Sequence, residues 1–247
     1  MTRLIAALQR GLSSWLAHHG LAGVTQPGEL RNPDTGCPDL FLGTERKLLH
    51  VGCGPADKSS TGPGFQSDAW REIRLDIDPD CRPDILGTLL DMSQVPDSSV
   101  DAIFSSHTLE HLYAHEIPLA LAEMRRVLKK DGIVLSTVPD LQAAAKMIAE
   151  DRMFETAYQS PAGPIAPFDI VYSYRGFVGR DRPYMAHHSG FTLSTLVQAF
   201  KDADFRGVIG IRKESSFDLW VLALESPQSE ERLRGLALEF VPGVSFG

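Results

Sequence analysis

The sequence predicts an α/β fold built on a doubly wound sheet of seven strands, and three observations carry that prediction. Short apolar runs alternate with helical patterns from Lys47 onward. The first run, KLLHVGCGP from Lys47 to Pro55, stops at a Gly-x-Gly turn. About 20 residues later a second run, LDIDP from Leu75 to Pro79, ends in acidic residues, the spacing at which two parallel strands meet a nucleoside-bearing ligand.

The elements follow in order. LLHVG reads as a buried first strand, EIRLDID as the second, DILGTL as a short third and DAIFSSH as the fourth. Between the first two, Gly62, Pro63 and Gly64 leave room for only a short helix or none. After the fourth strand a helix is expected, with Pro118 in its first turn and Ile117, Leu121, Met124 and Leu128 on one face. Lys129 and Lys130 suit its negative end, and Gly132 reads as its stop. IVLSTVP is the fifth strand. Residues 142–190 break the alternation with prolines, aromatics and basic groups, and read as an insertion forming a lid over the mouth of the sheet. Thr192 is placed to cap a helix that turns Leu193, Leu196, Val197 and Phe200 inward. Asp204 suits a left-handed position, and VIGIR with LWVLALE closes the sheet as an antiparallel pair.

The predicted organisation is an N-terminal helical extension and linker over 1–45, one domain over 46–225 and a mildly polar C-terminal tail over 226–247. With 247 residues and 43% apolar content the chain can bury one sizeable core. Its 24 basic and 32 acidic residues give a formal charge of -8, which disfavours nucleic acid as a partner. Arg175, Arg180 and Arg182 form the nearest approach to a basic patch and read as a solvated loop. Cys37, Cys53 and Cys81 show neither a disulfide framework nor a zinc pattern, which fits a reducing cytoplasm. Leu4, Leu8, Leu12, Trp15 and Leu16 recur at helical spacing; Gln9, Arg10, Ser13 and Ser14 interrupt any signal-peptide core. This amphipathic helix is expected to pack on protein, with a homodimer as one use of it, and no membrane association is expected.

Gly52 and Gly54 permit close approach of backbone to a ligand, and Asp76 has the charge and reach to hold two ribose hydroxyls. Asp78, followed by Pro79, reads as the start of the next turn. A third glycine is missing, since Pro55, Ala56 and Asp57 follow Gly54, and that argues against a pyrophosphate. Cys53 reads as a small packing residue. Together with FSSHTLEHL (Phe104 to Leu112), these segments resemble the class I S-adenosylmethionine-dependent methyltransferases, whose fold is Rossmann-like. The stretch from Ser160 to Thr192 resembles a bacterial type 11-like subgroup of unknown acceptor. The resemblance implies S-adenosyl-L-methionine as cofactor, held by Val51, Gly52, Cys53 and Gly54, by Asp76 and Ile77, and by Ser106 and His107 at the methionine end. It also implies an adenine contact from Leu90, Asp91 and the Met92 backbone, with Thr88 as the alternative.

On the acceptor side, His107, Tyr184 and His187 are the expected catalytic residues, with His188, Tyr172 and Tyr174 close in sequence. A hydroxyl or carbon acceptor benefits from a base of suitable pKa, which a histidine supplies. His107, His111 and His115 fall four residues apart around Glu110, but Pro118 follows too soon for a continuous helical face, and no metal is expected. The implied activity is methyl transfer to a small molecule. A non-catalytic donor-binding module is the alternative, and a nicotinamide oxidoreductase is disfavoured by the missing glycine.

Overall fold

The computed structural model describes residues 38–178 and 183–246. The N-terminal amphipathic helix and any dimer contact through it lie outside the described residues, as do Cys37, Arg180 and Arg182.

Seven strands form one sheet: β1 (Arg46–Val51), β2 (Trp70–Asp76), β3 (Ile85–Leu86), β4 (Val100–Ser106), β5 (Leu128–Pro139), and β8 (Gly207–Lys213) and β9 (Asp218–Leu224). A separate hairpin, β6 (Tyr158–Ser160) and β7 (Gly163–Ile165), lies between β5 and β8 in the chain. The sheet order is β3-β2-β1-β4-β5-β9-β8, with β9 antiparallel to both neighbours and the other pairs parallel. All the parallel strands therefore end at one edge, and reversal at β1 and β4 opens a crevice there.

Both faces of the sheet are covered, so the central strands are apolar on both sides. Leu49, Ile73 and Ile103 pack on one face with α1 (Ile117–Val127) and with Leu196 and Phe200. Leu48, Phe104 and Leu135 pack on the other with Phe65 and Trp70. Only short 3-10 turns at Lys58–Ser60 and Pro63–Phe65 occupy the stretch between β1 and β2, as Gly62, Pro63 and Gly64 predicted.

Three boundaries are informative. The helix α1 ends at Val127 rather than at Gly132: the Leu128 amide still reaches Met124, but its backbone is already extended and β5 begins there. Lys129 therefore lies on the strand, with its Nζ 2.8 Å from Asp101 Oδ1. After α2 (Leu141–Ala149) and α3 (Pro167–Tyr172), the helix α4 (Leu193–Asp202) begins with Thr192 Oγ1 accepting the Thr195 amide at 3.3 Å. Asp204 takes a φ of 67°, in the left-handed region.

The third boundary lies in 226–247, which the sequence marks as a C-terminal tail. Ser229 Oγ accepts the Arg232 amide at 3.2 Å and starts α5 (Glu230–Phe240). Leu233, Leu236, Ala237 and Phe240 bury against Leu48, Phe65 and Trp70, so this helix covers the face left bare by the short turns after β1. A Cβ on Gly62 would strike the Phe240 carbonyl oxygen, which is why glycine stands there.

Candidate active site

The turn after β1 is hooked onto the end of β2. Gly52 and Gly54 have φ of 65° and 53°, conformations that side chains resist. The Gly52 amide donates to the Leu75 carbonyl at 2.9 Å, and a Cβ on Gly52 would run into the Thr108 side chain. At Gly54 a Cβ would meet nothing within 4 Å among the described residues, so the turn leaves space in front of it there.

Asp76 is 7% exposed and holds this turn from below. Its Oδ2 accepts the Gly54 amide at 2.7 Å and its Oδ1 accepts the Asp78 amide at 2.8 Å. Each carboxylate oxygen keeps a lone pair for a further donor. The Arg74 guanidinium, which the sequence reading missed, clasps the same loops by donating to the carbonyls of Gly54, Ala56, Cys81 and Arg82. A cation inside EIRLDID was its one signal. Asp78 starts the next turn as expected, its Oδ1 accepting the Asp80 amide at 3.0 Å. Ile77 is 52% exposed at this edge. Cys53 is buried, and burial pushes its thiol up to about 11 despite the opposing pull of Arg74.

The loop after β3 corrects one expectation. The Met92 amide donates to Glu123 Oε2 at 3.1 Å, its carbonyl accepts from Arg126 at 2.8 Å, and its side chain lies in the core. That amide is therefore already committed and cannot face an adenine nitrogen. Asp91 is exposed, with Oδ1 accepting the Ser93 amide at 3.0 Å, while Thr88 Oγ1 accepts the Leu90 amide at 3.1 Å.

Ser106 closes β4, and His107 follows with a φ of 52°, unusual for a residue with a side chain. Its Nδ1 lies 3.2 Å from Glu110 Oε1 and its Nε2 lies 3.4 Å from Asp218 Oδ1. Burial disfavours the charged ring, but the bonds to Asp218 and Glu110 outweigh it and raise its pKa to about 10. The side chain is 42% exposed, so solvent screens part of this attraction. The direction still makes His107 a cation at neutral pH, and a protonated ring is no general base.

Glu110 is 1% exposed; burial opposes its ionisation, yet His107 brings its carboxyl below the ordinary range. Its Oε2 has no hydrogen-bond partner among the described residues. His111 Nδ1 lies 3.2 Å from the Ala186 carbonyl and His187 Nδ1 2.9 Å from that of Ile170. Burial lowers the pKa of His187 and favours the neutral ring. The His107, His111 and His115 series does not share a face, because the chain makes one 3-10 turn at Leu109–His111 and then extends; His115 stacks on Tyr113 instead.

Residues 184–189 cross this edge. The Tyr184 hydroxyl donates to Asp78 Oδ2 at 3.0 Å, and the amides of His188 and Ser189 donate to the Glu110 carbonyl at 2.8 and 3.0 Å. His187 thus meets the turn that carries His107, while Tyr184 reaches the end of β2. His188 stacks on Tyr113. The Tyr174 hydroxyl donates to the Ala162 carbonyl, and Tyr172 packs on Phe168. A separate cavity of about 800 Å³ is lined by Asp140, Lys146, Arg152, Arg212 and Phe217, without any of the residues above.

Residues 49–136 match a protein family described as a methyltransferase domain. Over that segment the chain is similar to methyltransferase domains. The matched segment runs from β1 to β5 and takes in Gly52, Asp76, His107 and Glu110, but not Tyr184 or His187. A relative named probable methyltransferase ltbC, from Aspergillus luteorubrus, is 32% identical over 108 residues, covering 35% of this chain and 38% of its own. The chain thus spans under two-fifths of the length of that curated relative. In fold, the chain is similar to the PH0226 protein from Pyrococcus horikoshii OT3, with 14% identity, a TM-score of 0.50, and 75% of this chain and 83% of that one covered. A further similar structure is a SAM-dependent methyltransferase from Methanosarcina mazei, with 16% identity, a TM-score of 0.49, and coverage of 77% and 97%. S-adenosylmethionine is the cofactor that a domain of this kind implies. The residues present fit it: open space before Gly54, a braced acid at Asp76 and no phosphate-binding third glycine. No helix among the described residues is long and apolar enough to cross a membrane.

Proposed function

We propose that this protein transfers a methyl group from S-adenosylmethionine to a small-molecule acceptor at the carboxyl edge of the sheet. The observation that carries the reading is the Asp76 carboxylate, fixed by the Gly54 and Asp78 amides with lone pairs to spare beside open space. Asp76 would hold the ribose hydroxyls, Gly54 would allow the donor close to the backbone, and exposed Ile77 would lie against the adenine. Leu90 and Asp91 would border the base through their side chains, without the Met92 amide.

The donor supplies an electrophilic methyl on a sulfonium. The chain's contribution is to align the acceptor and keep water from the site. His107 acts there as a fixed cation between Glu110 and Asp218, positioning the turn after β4 rather than accepting a proton. His187 presents a neutral ring, and Tyr184 ties its segment to the end of β2. The charge of -8 favours a small acceptor over a polyanion.

Incubation with methyl-labelled donor and the small-molecule fraction of a bacterial extract tests this reading. Label should appear in a small molecule, with S-adenosylhomocysteine as coproduct. Donor binding without transfer to any fraction would favour a non-catalytic binding module.

A further inference from the structure

We propose that Glu110, His111 and His187 form a binding site for a first-row divalent transition-metal ion. One ligand atom from each of the three lies within 4.8 Å of the other two. The carboxylate is 1% exposed, and its Oε2 lacks a donor among the described residues, an arrangement that is costly and that a cation would relieve. A carbonyl oxygen can only accept. The Nδ1 atoms facing Ala186 and Ile170 therefore carry protons, which leaves Nε2 as the ligand atom of each ring.

These carbonyls fix tautomer and ring orientation in the way that outer partners hold metal-binding histidines. His107 does the same for the carboxylate by bonding Oε1 and leaving Oε2 to the site. The sequence series of His107, His111 and His115 is thereby replaced: His111 is a ligand, His107 an outer partner, and His115 lies on Tyr113. His187, from a distant part of the chain, completes the set.

Two imidazoles and one carboxylate suit zinc, iron, cobalt or nickel better than magnesium or calcium, which prefer oxygen. An ion about 2.1 Å from each atom requires separations of no more than about 4.2 Å, close to the observed limit of 4.8 Å. Three protein ligands leave at least one position for a water or an acceptor oxygen. The proposal does not depend on methyl transfer, because metal binding is measured by itself.

The test uses the full chain, stripped with a chelator and titrated with zinc by calorimetry and with cobalt by visible absorption. One ion per chain is expected, with cobalt bands of nitrogen and oxygen coordination. His187→Ala should weaken zinc binding by about 100-fold or more, and His107→Ala by about 10- to 100-fold, whereas His115→Ala should leave it unchanged. Glu110→Gln should act like His187→Ala. If the loss of this buried carboxylate prevents folding, His111→Ala takes its place in the comparison. Wild-type protein that binds zinc no more tightly than His187→Ala, or an equal loss in His115→Ala, would overturn the assignment.

Discussion

The Gly54 amide donates to the Asp76 carboxylate at 2.7 Å across 22 residues of sequence. The acid at the end of β2 thus shapes the glycine turn after β1 as well as facing the space before it. Asp76→Ala should weaken binding of S-adenosylhomocysteine by about 1–3 kcal/mol, the cost of losing hydrogen bonds to a charged group. Titration calorimetry on the folded variant measures this. An unchanged affinity would move the ribose contact away from Asp76.

Gly52→Ala should destabilise the protein by about 1–3 kcal/mol, because a side chain at φ 65° is strained and its Cβ would meet Thr108. Adding Thr108→Ala restores the space but not the backbone, so the double variant should recover only part of the loss. Urea unfolding of the three variants checks the order; full recovery would assign the whole cost to the collision.

Cys53 should resist alkylation by iodoacetamide at pH 8 in the native state and react readily in urea. The thiolate is the nucleophile, and burial raises the folded pKa from 9.0 to about 11. The corresponding stability is fully present below about 9 and is lost as pH rises through about 11. Peptide mass spectrometry reads the labelling. Rapid native modification at pH 8 would contradict both the burial and the shift.

Phe240→Ala should cost about 3–5 kcal/mol, the range for emptying a large aromatic from a core. Its ring centroid lies 4.6 Å from that of Phe65, so the loss falls on the face covered by the C-terminal helix. A change within error in the urea midpoint would mean that residues 230–240 contribute little to the fold.

The central sheet was legible because burial on two faces leaves apolar runs such as LLHV, and because Gly52, Gly54 and Asp76 announce a turn and an acid by residue type alone. What escaped was set by long-range partners. The Met92 amide is taken by Glu123, 31 residues on, and no local pattern tells which loop amides are already committed. The Glu110, His111 and His187 cluster depends on the return of residues 184–189 across the sheet edge. Helix α5 did leave a signal in Leu233, Leu236, Ala237 and Phe240 at helical spacing behind Ser229, masked by the charged residues between them.

The most direct test of the central claim is parallel calorimetric titration of the full chain with S-adenosylhomocysteine and with NAD. Binding of S-adenosylhomocysteine with one site per chain, lost or weakened in Asp76→Ala, and no measurable NAD binding is the expected result. NAD binding without any affinity for S-adenosylmethionine or S-adenosylhomocysteine would contradict the assignment of the Gly54 and Asp76 edge to a methyl donor.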